Sequence, residues 1–134
     1  MTLTQHEVGF ELPPLVIEAV DEEKMKLMAA ILRDPNPIHF DVEQVKALGL
    51  GDRVVNQGPS NMSYLLNMVT RWSGGVPTLR SVAVRFLGNV FAGDRVECVG
   101  RVTAVDPDAG LVTLEVAANV GDRPVLQGSV VVSV

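Results

Sequence analysis

Two side chains of this sequence, Asp34 and His39, set a carboxylate and an imidazole five residues apart, a pairing suited to moving a proton. They lie in the octapeptide Asp34-Pro35-Asn36-Pro37-Ile38-His39-Phe40-Asp41. Pro35 and Pro37 fix their own φ angles and push Asp34 and Asn36 out of the helical region, so the segment predicts a stiff turn. Acid–base chemistry needs pre-set geometry of this kind. Taken alone, the octapeptide also has a plainer reading: Asp-Pro and Asn-Pro are common turn formers, and a histidine beside them is often a surface residue. The third candidate is Gly58, within Asn56-Gln57-Gly58-Pro59-Ser60. It fits a helix N-cap, with Pro59 at the first helical position, where a missing N–H costs nothing. A free N–H at the positive end of a helix can stabilise developing negative charge, although by residue type alone Gly58 is equally a plain cap.

These three residues must be positioned by the elements around them. Asp21 predicts an N-cap, with Glu22 and Glu23 in the first turn and Met25, Met28, Ala29 and Leu32 at helical spacing. That helix should run to Arg33, where Asp34-Pro35 stops it. Asp41 with Gln44 reads as a capping box for a short helix through Val42, Val45 and Leu48 that ends at Gly49. Met62, Leu65, Leu66, Val69 and Trp72 then form an apolar helical stripe closed by Ser73-Gly74-Gly75, with Asn61 and Asn67 off the stripe. From Leu79 the period changes to two, predicting strands over 79–91, 95–105, 111–120 and 125–134, with a bulge at Gly88-Asn89. A shorter run, Leu15-Val16-Ile17, predicts a strand or extended arm. The order predicts an α+β fold in which a curved antiparallel sheet wraps one long apolar helix, as a single domain over residues 1–134.

Composition narrows the function classes. At 134 residues the chain can bury roughly two-thirds of the surface its unfolded form exposes. Hydrophobic residues make up 47% and aromatics only 4%, so aliphatic side chains, chiefly the strand-favouring valine, must fill the core. A net charge of −5 without any basic cluster argues against nucleic acid or an anionic membrane surface as partner. The single cysteine, Cys98, allows no internal disulfide and reads as a packing residue. No run approaches a membrane span and the first ten residues lack a leader pattern, so a cytoplasmic location is expected. His, Cys and carboxylate spacings fit no metal site, and there is no glycine-rich phosphate loop, so neither metal nor bound cofactor is expected. His6 is expected at the surface and Trp72 in the core or an interface, while Arg71, Arg80, Arg85 and Arg95 are scattered.

At every defined position the octapeptide resembles the motif of the MaoC-like (R)-specific enoyl-CoA hydratases, or hydratase 2. That motif is an aspartate, one residue, Asn-Pro, an aliphatic residue, histidine, one residue and an acidic residue. Gly58 matches the glycine that opens the family's central helix, and Phe86, Val90 and Gly93-Asp94 match a later Phe, aliphatic, Gly-Asp pattern. The likeness runs from Asp21 to Val134. It implies the hot-dog fold, a long central helix enclosed by an antiparallel sheet. It also implies a lyase that hydrates a trans-2-enoyl-CoA to an (R)-3-hydroxyacyl-CoA, or runs the reverse dehydration. In that reading His39 is the main base, Asp34 positions the water and shares the proton transfer, and the Gly58 N–H holds the thioester oxygen. Asn36, Pro37, Gln57 and Ser63 are the expected substrate contacts, and CoA enters as part of the substrate.

The sequence departs from the family at the helix start, where His-Gly-Met is common and Gln57-Gly58-Pro59 stands here. A hydroxyl that some members place eight residues after the glycine is replaced by Leu66. Val54-Val55-Asn56 through Thr70-Arg71-Trp72 also resembles the small hydratase subunit of actinobacterial steroid side-chain degradation, which works beside a second hot-dog chain. The alternatives are thus a subunit of such a heteromeric enzyme, a non-catalytic acyl-CoA-binding subunit, or a hot-dog thioesterase. The last is disfavoured because the central helix carries no acidic residue. A single hot-dog domain leaves a sheet edge to cover, so a homodimer or higher oligomer is expected.

Overall fold

The computed structural model describes residues 4–134. In chain order it has β1 (Leu15–Ile17), α1 (Glu22–Leu32), a 3-10 turn (Pro37–His39), α2 (Val42–Ala47) and α3 (Gly58–Ser73). A second 3-10 turn (Val76–Thr78) leads into β2 (Leu79–Phe86), β3 (Val96–Asp106), β4 (Leu111–Val120) and β5 (Arg123–Ser133). Alternation along the strands decides which way each side chain points. Val96, Cys98 and Val102 of β3, Val112, Leu114 and Val116 of β4, and Leu126, Val130 and Val132 of β5 are buried. They form one core with Leu65, Met68 and Val69 of α3. Each fully buried aliphatic side chain contributes about 1.5–3 kcal/mol before chain entropy is counted. Gly100 lets the helix come close: a Cβ there would stand 3.1 Å from Met68 Cε. This is the hot-dog arrangement, α+β, with α3 as the enclosed helix.

The sheet order is β1-β3-β4-β5-β2, with every pair antiparallel. β2 is therefore not the neighbour of β3, although it precedes it in the chain. Two expectations change together here. β2 stops at Phe86 instead of running on to 91, and Gly88-Asn89 lies beyond the strand and not in a bulge within it. The cause is a competing pairing. Residues 87–95 leave the sheet and cross to the segment before α3, where Val55 and Phe91 form an isolated antiparallel bridge. Asn56 N–H donates to Val90 O at 2.7 Å and Ala92 N–H to Val54 O at 2.9 Å. β2 is left on the far edge, against β5. Gly128 of β5 permits that contact, because a Cβ there would overlap the Ala83 carbonyl oxygen of β2.

The helix ends follow the sequence closely, except that the expected capping box of Asp41 with Gln44 does not form, because the Asp41 N–H is taken by Pro37 O at 2.7 Å. Asp21 caps α1 by accepting from Glu23 N–H, and Asp41 caps α2 by accepting from Glu43 N–H. α3 closes on Gly74 in the left-handed region at φ 105°. Its start differs by one residue from expectation. Gln57 is the N-cap and Gly58 the first helical residue, so Pro59 falls at the second position. Asn61, expected off the apolar stripe, is buried.

Candidate active site

The chain reaches the candidate site through a bend. Arg33, which ends α1, takes φ 51°, the one positive value at a non-glycine among the described residues. The Arg33 N–H bonds to Ala30 O and the Asp34 N–H to Ala29 O, closing the helix and turning the chain back. Asp34 Oδ1 then accepts from Asn36 N–H at 3.0 Å, and Asn36 Oδ1 accepts from Ile38 N–H at 3.3 Å. These two Asx turns, with Pro37 at the start of the 3-10 turn, present His39 inward.

His39 is 7% exposed. Its Nδ1 lies 2.7 Å from Val55 O. A carbonyl only accepts, so Nδ1 carries the hydrogen and Nε2 is left as the working nitrogen. Nε2 faces Asp34 Oδ2 at 3.2 Å, and the Asp34 side chain is about one-third exposed. Nε2 and Oδ2 are too close for a water between them, but a water to one side of the pair can donate to both when Nε2 carries no hydrogen. The pair can therefore hold a water and take its proton.

Gly58 enters through the same segment, three residues after the carbonyl that holds the ring. Its N–H has no partner among the described residues. The Phe86 ring lies over it, with Cε1 3.2 Å from where a Cβ would be. Side-chain capping is absent at this helix start and Pro59 has no N–H, which leaves the Gly58 N–H as a free donor.

The expected substrate contacts fall into two groups. Asn36 and Pro37 lie in the turn itself, and Asn36 spends its Oδ1 on the cap, leaving Nδ2 for a ligand. Gln57 and Ser63 have their polar atoms turned elsewhere. Gln57 is 1% exposed, and its Nε2 donates to Met25 O at 2.8 Å, tying α1 to the start of α3, while its Oε1 has no protein partner. Ser63 donates its hydroxyl to Ser60 O at 2.7 Å.

Nothing in the residue type of Val55 signals its part, since it acts through its main chain. It also hid a buried polar group beneath the site, in which Asn56 Nδ2 donates to Asn61 Oδ1 at 2.7 Å and to Tyr64 Oη at 3.1 Å. The paired placement of asparagines on either side of Gly58 was the available signal. Burial pushes the Tyr64 phenol above its ordinary range, with the Asn56 hydrogen bond opposing.

Other candidates lie apart. Cys98 is fully buried in the core, and burial pushes its thiol up to about 12, so it is a packing residue and no nucleophile. His6 packs edge-on to Trp72 with ring centroids 5.8 Å apart. A surface depression of about 990 Å³ lies on the sheet face turned away from α3, walled by residues such as Arg101, Glu115 and Gln127. It contains none of Asp34, His39 and Gly58. Among the described residues no three His, Cys, Asp or Glu side chains gather as a metal site, and no helix is long and apolar enough to cross a membrane.

The model of the family described as MaoC like domain matches residues 4–121. The chain belongs to that family. Membership in the MaoC-like family, with the fold described above, supports hydratase or dehydratase chemistry. A UPF0336 protein of Saccharopolyspora erythraea is 35% identical over 68 residues, which is 51% of this chain and 42% of that protein. This MaoC-like chain thus spans well under half the length of that curated relative. A chain of the ChsH1-ChsH2 complex from Mycobacterium tuberculosis is 26% identical, with TM-score 0.82, covering 95% of this chain and 97% of that one. The (R)-hydratase of A. caviae involved in PHA biosynthesis shares the fold at TM-score 0.87 and 23% identity, covering 98% and 99%.

Proposed function

We propose that this chain catalyses the reversible hydration of a trans-2-enoyl-CoA to an (R)-3-hydroxyacyl-CoA. The observation that carries this reading is the contact between His39 Nε2 and Asp34 Oδ2, with the ring locked by the Val55 carbonyl, in a MaoC-like chain. His39 Nε2 takes a proton from a water held against Asp34 as the water oxygen bonds to C3. The electron pair of the double bond moves onto the thioester oxygen, which the free Gly58 N–H stabilises. The enolate collapses as C2 takes up a proton from the His39–Asp34 pair, so the elements of one water are added across the bond. One helix-end donor of this kind is worth about 3–4 kcal/mol, and a positioned acid or base gives roughly a hundred- to ten-thousand-fold. CoA is a carrier on the substrate, and the chemistry requires no further cofactor.

The outer edge of β2 is unpaired, and Phe40, Phe86 and Leu87 are exposed. A second hot-dog chain, in a homodimer or higher oligomer, would cover such surfaces. A second reading, favoured by the likeness to a chain of a two-component complex, makes that partner a different subunit.

Purified protein with crotonyl-CoA should bleach the absorbance of the conjugated thioester and yield the (R)-alcohol on chiral analysis. Unchanged absorbance and no binding, across enoyl-CoAs from crotonyl to steroid-like, overturns the proposal. Tight enoyl-CoA binding with turnover only after a partner is added favours the heteromeric reading. Release of free thiol without hydration identifies a thioesterase instead.

A further inference from the structure

Val55 gives both of its main-chain groups to the turn that holds the imidazole. Its N–H donates to Ile38 O at 2.9 Å, and its carbonyl accepts from His39 Nδ1–H at 2.7 Å. The position of Val55 therefore fixes the position and tautomer of the ring. Val55 itself belongs to no regular strand. It is held by one bridge to Phe91, flanked by the bonds from Asn56 to Val90 and from Ala92 to Val54.

Residues 90–94 are tied by main-chain bonds to the 54–56 segment and to Val20, and one buried carboxylate adds the side-chain fastening. Asp94 is 8% exposed, and its Oδ2 accepts from Phe91 N–H at 2.9 Å while its own N–H donates to Phe91 O at 3.0 Å. Oδ1 accepts from Arg53 Nη1 at 2.8 Å. The same Nη1 donates to Ala92 O at 2.9 Å, and the Arg53 guanidinium lies over the Phe91 ring, 5.3 Å from its centroid. From the other side Arg123 Nη2 stands 3.9 Å from Oδ2 while its Nη1 donates to Asn89 O at 2.8 Å. Arg53 is two residues from Val55 on the segment being held. The Asp94–Arg53 pair thus clips the two segments together directly beside the bridge that carries Val55. A buried carboxylate bound this way is costly to replace, because its partners lose their acceptor.

We propose that Asp94, gripped by Arg53, is a positioning residue for the imidazole of His39. It acts through the bridge and the Val55 carbonyl and touches no reacting atom. The proposal rests on the reading of His39 as the base. Loosening the clip lets the 53–56 segment shift, and a misplacement of about 1 Å costs on the order of a hundred-fold in rate.

The test uses Asp94→Asn, which keeps the shape and an acceptor but removes the charge, and Arg53→Met, which alters a half-exposed side chain and gives a second route if the first variant fails to fold. Two readouts are taken on folded protein: crotonyl-CoA hydration, and the NMR signals of the imidazoles, of which the chain has only two. The expected result is a fall in kcat of about ten-fold with KM within about two-fold, together with a shifted or broadened His39 Nδ1–H resonance. The His6 signals stay in place. A loss of stability alone moves neither readout in the folded fraction. Wild-type kcat, or unmoved His39 signals, in either folded variant overturns the proposal. Full activity in His39→Ala instead sinks the parent reading, while the NMR signals still report whether Asp94 sets the ring.

Discussion

The turn at residues 34–41 and the crossing at 87–95 are both irregular, each carries a carboxylate at its key position, and both converge on Val55. They are held in opposite ways. The turn is closed by bonds reaching two or three residues along the chain, from Asp34 to Asn36, Asn36 to Ile38 and His39 to Asn36. The crossing has one short turn of its own, Asp94 to Phe91, but is anchored by Arg53 and Arg123, which lie 41 residues from Asp94 and 34 from Asn89. Short-range closure needs no help from the rest of the molecule, so the turn can take its shape before the sheet exists. The crossing is fastened to its place only when Arg53 and Arg123, far along the chain, have been brought beside it. The difference separates two tasks: local sequence makes the reactive geometry, and the fold aims it.

Four substitutions sharpen or break that separation. His39→Ala should lower kcat by about a thousand-fold yet cost only about 1 kcal/mol of stability, the worth of one buried hydrogen bond. Crotonyl-CoA kinetics beside a denaturant melt check it, and an active, folded variant removes the turn from the chemistry. Gly128→Ala should do the reverse. Its Cβ would stand 2.7 Å from Val84 Cα and overlap the neighbouring carbonyl, so a loss of about 3 kcal/mol is expected. Hydrogen exchange should then show protection lost first across Leu79–Phe86, and uniform loss would contradict the edge placement of β2.

Gly58→Ala should separate activity from stability most cleanly. The new methyl meets only the tip of the half-exposed Phe86 ring, at 3.2 Å, so stability should stay within about 1 kcal/mol. The methyl narrows the approach to the free N–H, and kcat/KM should fall about ten-fold. Unaltered kinetics would show that the thioester oxygen lies elsewhere. Asn36→Ala has the smallest expected effect, about 1 kcal/mol for the lost cap, with kcat down a few-fold. A larger loss of stability than that would mean the turn depends on the fold after all.

The same contrast explains what could be read from the chain. Two prolines, an aspartate and an asparagine state the turn's geometry within eight residues. The caps at Asp21 and Asp41, the glycine stop at Gly74 and the period-two strands are equally local. Strand order was not legible, because it turns on whether 87–91 extends β2 or pairs with 54–56, and apolar alternation is satisfied either way. Asn61 looked like a surface residue because its buried partner, Asn56, lies outside the helix. Gln57 displaced Gly58 as the cap for a similar reason: its side chain is drawn to Met25 O, 32 residues earlier. The clip between Arg53 and Asp94 is two ordinary charged residues until the fold brings them together.

Val55 hydrogen-bonds to the turn through its peptide groups. Any residue with an amide hydrogen and a carbonyl can do the same, so an alanine scan at this position reports lost packing and passes over the alignment it provides. Proline is the exception, because it deletes the donor to Ile38 O. The hold on the imidazole is thereby insulated from nearly every coding change at the residue that exerts it, and at position 55 only a proline would mark a broken site in the sequence.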